Sequence, residues 1–408
     1  MTLIHSLSPA AIRARELLED PETTEVHFNG AAHWSVKTGG TLRVLDGYGF
    51  SDERELVAWC NRLLEESGCA ERLDGMTPVV EFAFVGPEVS ARVHIVTEPV
   101  APHTVVTVAK QTTRRITMAE LVANDTLSAE MEELIQLAVR GRLNVVVSGG
   151  TGAGKTTFMQ AMLALCDPNE RIGVIEEIPE LRLSADHTVY LRSRAVPSSR
   201  RTVAPEVMLG ALADWAIAVA EAGEQGRAEV SLPRLVEALG ANLLAAQGSG
   251  RRSAVTLATL VRESLRMRFD RIVVGEVRGP EVVDLLGAMN SGFEGSSCTL
   301  HANSAMDTVA KIQLLAASHE SHLQPSYVQG LIADAIDLIV YLAPPGLDQH
   351  RVGEILAVFP THAGANVITH ERLFRFDPKE GFMRTAALPH QLVQRLKRGG
   401  VFVDAAGR

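Results

Sequence analysis

The stretch VVVSGGTGAGKTTFMQA, Val145 to Ala161, restricts the possible folds more than any other part of the chain. Asn144 to Ser148 is a short apolar run with three consecutive valines, the pattern of a fully buried strand. Gly149 to Thr156 then fits G-x-x-x-x-G-K-T, and Thr157 to Leu165 continues as a helix carrying Phe158, Met159, Met162 and Leu163. Strand, glycine loop and helix in that order form the setting in which such a loop holds phosphates. Gly149, Gly150, Gly152 and Gly154 carry no side chains, so backbone N–H groups through Thr151 and Ala153 can turn inward as an anion nest. The helix beginning near Lys155 adds the positive end of its dipole. Lys155 is placed to reach β- and γ-phosphates, and the Thr156 hydroxyl to hold Mg2+. Gly149 through Thr157 therefore reads as a nucleotide site.

The remaining pattern is α/β. From Met131 onward strands and helices alternate, as in a mainly parallel sheet. Besides the first strand, apolar strands are expected at Arg171–Glu176, Asp270–Gly275, Ser296–Leu300 and Leu338–Leu342. Three of them end at Glu176 and Glu177, at Glu276, and at His301. Ligands of open parallel sheets gather at the carboxyl ends of strands, so these residues are expected on the rim that carries the phosphate loop. Residues 1 to 110 read as a separate, smaller α/β domain. Its strands are TEVHFNG (Thr24–Gly30), TLRVLDG (Thr41–Gly47) and two more within Val79–Val96 around a Gly-Pro turn. Its helix lies between Asp52 and Ser67, with Asp52 and Glu55 as a helix-start pair. Residues 111 to 125 are polar and threonine-rich, a linker that with a lead-in helix extends to 140. Residues 141 to 408 form the larger domain. Within it, residues 200 to 250 interrupt the alternation with two amphipathic helices, read as a helical hairpin.

Length and composition narrow the function classes. A chain of 408 residues exceeds one ordinary core, so two or three domains are expected. A net charge of −10 argues against a broad nucleic-acid-coating surface. The four cysteines lie far apart with no C-x-x-C pair, which fits reduced thiols of the cytosol rather than a disulfide scaffold or zinc site. The first twenty residues lack the pattern of a signal peptide, and no apolar run approaches the ~20 residues needed to span a bilayer. Any membrane role is expected to pass through a partner or a surface contact.

Hydrolysis of ATP requires a positioned water, a metal and a sensor of the third phosphate. Glu276 closes the buried strand RIVVGE, a usual place for a residue that orients the attacking water, although many strands end in a solvated acid. Of Glu176, Glu177 and Glu180, at least one is expected to be a solvated surface charge. Glu177 and Glu180 are favoured to reach Mg2+ or share the water-orienting task. His301 is expected to sense the γ-phosphate or to serve an interface, more than to act as a base. Arg262 and Arg266, four apart on one helical face, point to an anion from a neighbouring subunit or to nearby acids such as Glu263. Arg266 and Arg278 are the candidates to reach across.

Four stretches carry a resemblance. GGTGAGKTT, IEEIPEL, LVRESLRMRFDRIVVGEVRG and MNSGFEGSSCTLHANS are similar, in order and wording, to the Walker A, Asp, Walker B and His boxes of the secretion ATPases. These serve type II secretion, type IV secretion and type IV pili, and the wording is closest to the CpaF (tight-adherence, Flp pilus) subfamily. TEVHFNG and SARVHIV resemble the family's N-terminal domain, and GEILAV with RLFRFD its C-terminal β-hairpin. The resemblance implies a RecA-like ATPase domain behind an N-terminal domain, assembled as a homohexamer ring. It implies nucleotide held between the two domains and against the neighbouring subunit. Hydrolysis would drive pilin assembly or substrate transfer through an inner-membrane platform protein. It further implies that Glu276 orients water, that the Asp-box acids help hold Mg2+, that His301 takes part in coupling, and that Arg92 reaches the phosphates. Glu177 departs from the usual aspartate, Lys110 stands where an arginine is common, and the 200–250 insertion is longer than usual. A motor of conjugative DNA transfer and a non-hydrolysing, nucleotide-gated scaffold are the alternatives. A metabolic kinase is disfavoured because no acceptor-pocket motif is present.

Overall fold

The computed structural model describes residues 8–69, 71–85, 90–111, 116–183, 185–193, 254–319, 323–344, 350–360 and 368–403. The helical hairpin read over 200 to 250 and the Gly-Pro turn lie outside them. The first sheet is antiparallel and six-stranded. Its members are β1 (Thr23–Asn29), β2 (Trp34–Thr38), β3 (Thr41–Leu45), β4 (Val79–Val85), β5 (Ser90–Val96) and β6 (Val105–Gln111). They lie in the order β3-β2-β1-β6-β5-β4. Helices α1 (Pro9–Glu19) and α2 (Glu53–Glu66) supply Ala14, Leu56, Trp59 and Leu64 to a core shared with Val26, Phe28, Ile95 and Val108 of the sheet. Asp52 caps α2 by accepting from Glu55 N at 2.9 Å. The Glu55 carboxylate accepts instead from Ser51, so the helix-start pair spans one residue more than a capping box.

The threonine-rich stretch read as a linker contains α3 (Met118–Ala123). Thr117 and Glu120 close a full capping box, and Met118 and Leu121 are buried. Helix α4 (Ala129–Arg140) follows and leads into the second sheet.

Among the described residues that sheet has nine strands. They are β7 (Val145–Gly149), β8 (Ile172–Glu176), β9 (Val189–Arg192), β10 (Arg271–Val277), β11 (Ser297–His301), β12 (Leu338–Ala343), β13 (Arg351–Pro360), β14 (Ile368–Asp377) and β15 (Gly381–Arg384). Their order is β15-β14-β13-β12-β7-β11-β10-β8-β9. From β12 to β9 every pairing is parallel, whereas β12 through β15 pair antiparallel. Among the described residues the remaining helices are α5 (Lys155–Leu163), α6 (Leu257–Ser264), α7 (Glu281–Met289), α8 (Ala305–His319), α9 (Pro325–Ala335) and α10 (His390–Arg398). Val145 and Val147 enter the core with α4 and α5, while Val146 enters the core with α7, α8 and α9. A strand buried on both faces needs no polar side, which is why its sequence is a continuous apolar run.

Topology places the site. β7, β11, β10 and β8 are adjacent and parallel, so Gly149, His301, Glu276 and Glu176 share one edge. His301 lies opposite Gly149 in register. Strand β10 runs two residues beyond the expected end at Gly275. Val274 pairs with Cys298 but Val277 with Leu300, so a bulge inserts one extra residue at Gly275–Glu276. A bulge at a strand end re-aims a side chain, here that of Glu276.

Candidate nucleotide site

The loop is shaped by close approach and by left-handed backbone. A Cβ at Gly149 would lie 2.6 Å from the Leu342 carbonyl of β12. Gly154 caps α5 with φ +87°, a conformation that favours glycine. Lys155 is buried, and its Nζ donates to the Gly150 carbonyl at 2.8 Å. The Ala153 N–H donates to the same oxygen at 3.3 Å. Two loop donors thus converge on one acceptor position. Burial pushes the Lys155 ammonium below the ordinary lysine range, against the pull of Glu276 and Glu180. Ala153 is fully buried, whereas Thr151, Gly152 and Thr157 are exposed.

Lys155 Nζ stands 3.3 Å from His301 Nδ1. An ammonium has no lone pair, so Nδ1 accepts and the ring proton sits on Nε2, beside Glu276. Burial, then the Lys155 charge, lowers the pKa of His301 despite the opposing Glu276, which keeps the ring neutral near pH 7. His301 Nε2 approaches Glu276 Oε1 to 2.9 Å, and Oε1 is buried without a hydrogen bond from the described residues. Glu276 Oε2 accepts from Arg278 Nη2 at 2.7 Å. Burial alone would raise the Glu276 carboxyl. The Arg278 hydrogen bond and charge, helped by His301 and Lys155, outweigh it and hold the group below the usual carboxylate range.

The second set of acids flanks Thr156. Glu180 Oε2 accepts from Thr156 Oγ1 at 3.1 Å, and Glu180 Oε1 lies 3.7 Å from Arg92 Nη2. Arg92 comes from β5 of the first sheet. Its Nε is buried without a hydrogen-bond partner among the described residues, although Glu81 Oε1 is 3.4 Å away. Glu177 is exposed and lines the same cleft as Thr156, Glu180, Glu276, Arg278 and Arg92. Glu176, which the sequence reading did not favour, is the buried acid of the three. Its Oε1 accepts from Glu180 N and Leu181 N at 3.0 Å each, so it holds the backbone that aims Glu180.

Other expected residues lie elsewhere. Lys110 Nζ donates to the Asp20 carbonyl within the first sheet's unit, so Arg92, not Lys110, is the cation that this unit brings to the cleft. Arg262 pairs with Asp284 and Arg266 with Glu263, the ordinary solvated arrangement. His350 is a functional candidate that sequence reasoning missed. Its Nε2 lies 2.8 Å from the Gly152 carbonyl, and its ring stands over Gly154. No local signal marks it; it reaches the loop only because β12 pairs with β7 and its hairpin returns beside them.

Among the described residues no three His, Cys, Asp or Glu side chains form a preformed metal cage. The oxygen donors of Thr156 and Glu180, with Glu177 beside them, suit a hard ion that keeps water and substrate phosphates among its ligands, as Mg2+ does.

A phosphate loop at the carboxyl edge of a largely parallel sheet, faced by an acid, a histidine and arginines, defines a RecA-like α/β protein of the P-loop nucleotide-binding class. The family model described as "Type II/IV secretion system protein" matches residues 78–206 and 229–349, more than half of the chain, and the chain belongs to that family. It is 31% identical over 357 residues to a putative conjugal transfer protein of Mycobacterium tuberculosis, covering 86% of each chain. Among solved structures, it is similar to the Legionella pneumophila ATPase DotB (16% identity, 91% of this chain and 80% of that one, TM-score 0.50). It is also similar to the pilus retraction motor PilT with bound ADP (16% identity, 96% and 87%, TM-score 0.50). These two likenesses show the fold.

Proposed function

We propose that this chain is a Mg2+-dependent ATPase that powers pilus assembly or protein secretion. In this reading it works as a ring of six against an inner-membrane platform protein. Family membership supports the class, and the wording of the four boxes supports a CpaF-like, tight-adherence role within it. The chain's place in this reading is peripheral, at the cytoplasmic face of the membrane; among the described residues no helix is long and apolar enough to cross a membrane.

One observation carries the reading: Lys155, His301, Glu276 and Arg278 form an unbroken chain of contacts beside the Thr156–Glu180 pair. Gly149 through Thr157 cradle the phosphates, and Lys155 exchanges the Gly150 carbonyl for a phosphate oxygen. Thr156 and Glu180, with Glu177, would hold Mg2+, which when bound would neutralise phosphate charge. Glu276, ionised at neutral pH, orients the attacking water by accepting a hydrogen bond from it. His301 links Lys155 to Glu276 and so reports the phosphate side of the cleft to the water side. Arg92 contributes charge from residues 1 to 110, which we take as the N-terminal domain, to the ATPase domain of residues 141 to 408.

Steady-state phosphate release tests this. Lys155→Ala and Glu276→Gln should each lower kcat by roughly a hundredfold or more. Full turnover by both variants overturns the assignment, and absence of turnover in the wild type favours a nucleotide-gated scaffold. The name of the mycobacterial relative favours a second reading, a motor of conjugative DNA transfer. The net charge of −10 opposes direct DNA contact. Filter binding across a salt series separates the two, because phosphate contacts weaken steeply as salt rises.

A further inference from the structure

We infer that His350 is a positioning residue for nucleotide binding, holding the phosphate loop from outside so that a backbone donor faces the phosphates. The inference rests on the nucleotide reading above. The Gly152 carbonyl has only lone pairs to offer, so at 2.8 Å the His350 Nε2 must be the donor. That carbonyl belongs to the same peptide unit as the Ala153 N–H. In a planar trans peptide the C=O and N–H point in opposite directions. Anchoring the carbonyl outward on His350 therefore turns the Ala153 N–H inward. It is found there, directed at the Gly150 oxygen that also accepts from Lys155.

The ring adds a steric part. A Cβ at Gly154 would come within 3.1 Å of His350 Cδ2, so the imidazole occupies the space above the helix start that a side chain would fill. Glycines at 152 and 154, with φ of +71° and +87°, leave this loop easily rotated. A single external donor thus removes the freedom that would let the 152–153 peptide flip and present a carbonyl, rather than an N–H, to an anion. His350 is exposed and precedes β13, so it can be changed without opening a core.

The experiment is calorimetric titration of the full chain with ADP and with ATP in Mg2+, paired with steady-state kinetics, for His350→Ala, His350→Phe and His350→Gln. The alanine variant should raise Kd and KM about tenfold with kcat within about twofold, the size expected for one lost ordering hydrogen bond. Phenylalanine keeps the ring over Gly154 but not the donor and should recover only a minor part of the affinity that alanine loses. Glutamine restores an N–H donor and should return affinity to within about threefold of wild type. Wild-type affinity in the alanine or phenylalanine variant, or a loss confined to kcat, overturns the role of His350 while leaving the nucleotide site intact. Failure of the wild type to bind either nucleotide instead removes the underlying reading.

Discussion

Glu176 and Glu276 end neighbouring strands of one sheet, yet their surroundings drive the two carboxyls in opposite directions. Glu276 is held ionised by Arg278. Glu176 is pushed up to about 7 by burial, which the N–H groups of Leu181 and Glu180 only partly offset. The sign of the linked stability change follows. Between the ordinary value of 4.5 and about 7 the folded state keeps a proton that the unfolded state has lost, so stability falls as pH rises through that window. Glutamine at this position keeps an acceptor oxygen for both N–H groups and carries no charge. In EDTA, Glu176→Gln should match wild type near pH 4.5 and exceed it at pH 8 by at most about 3 kcal/mol, read from urea unfolding. A stability difference that does not change with pH would sink this account. Gly275 belongs to the same arrangement, since a Cβ there would meet Glu176 Cγ at 2.7 Å.

At the scale of elements, the strands that the sequence showed most clearly are those buried on both faces, β7 and β8 among them. Four-residue β9, half-exposed at the sheet edge, left no such run. Helix α3 was hidden by the threonines that precede it, although Thr117-Met118-Ala119-Glu120 spells the capping box that the structure forms. The C-terminal helix α10 depends on a contact between distant segments. Arg395 donates to both oxygens of buried Asp337, and the Asp337 carboxylate also accepts from Asn144 N at the start of β7. This tie sits at the edge opposite the phosphate loop. Arg395→Met should therefore destabilise the fold by about 3 kcal/mol, because it leaves a buried carboxylate unpaired. Nucleotide affinity of the folded fraction should stay unchanged. Thermal or urea unfolding beside ADP titration reads the two effects separately, and a coupled loss of both would contradict the separation.

For the whole molecule, the two sheets meet through Arg92 near Glu180 and through Arg182 Nη2, which donates to Ser90 Oγ at 3.3 Å. The first sheet thereby touches the acid that holds Thr156. A shift of one sheet against the other would change the cleft's charge, which in the proposed motor would link hydrolysis to movement. Arg92→Ala should lower kcat by roughly tenfold while leaving ADP affinity within a few-fold, since Lys155 and the loop backbone remain. An unchanged kcat would detach the first sheet from catalysis. Light scattering with and without ATP and Mg2+ tests the ring: a hexamer is expected with nucleotide, and a monomer under all conditions would remove the inter-subunit part of the proposal.

The phosphate loop, the apolar strands and the acids and histidine at their tips could be read in the sequence alone. They are written in neighbouring residues, where burial on two faces and the lack of a side chain leave direct marks on composition. Tertiary structure alone decided how those tips are aimed. The bulge at Gly275–Glu276, the choice of Glu176 as the buried acid and the approach of His350 to Gly152 all depend on how the chain packs in three dimensions. Such contacts depend on strand order and register, and those are set by packing across the whole sheet rather than by any local pattern.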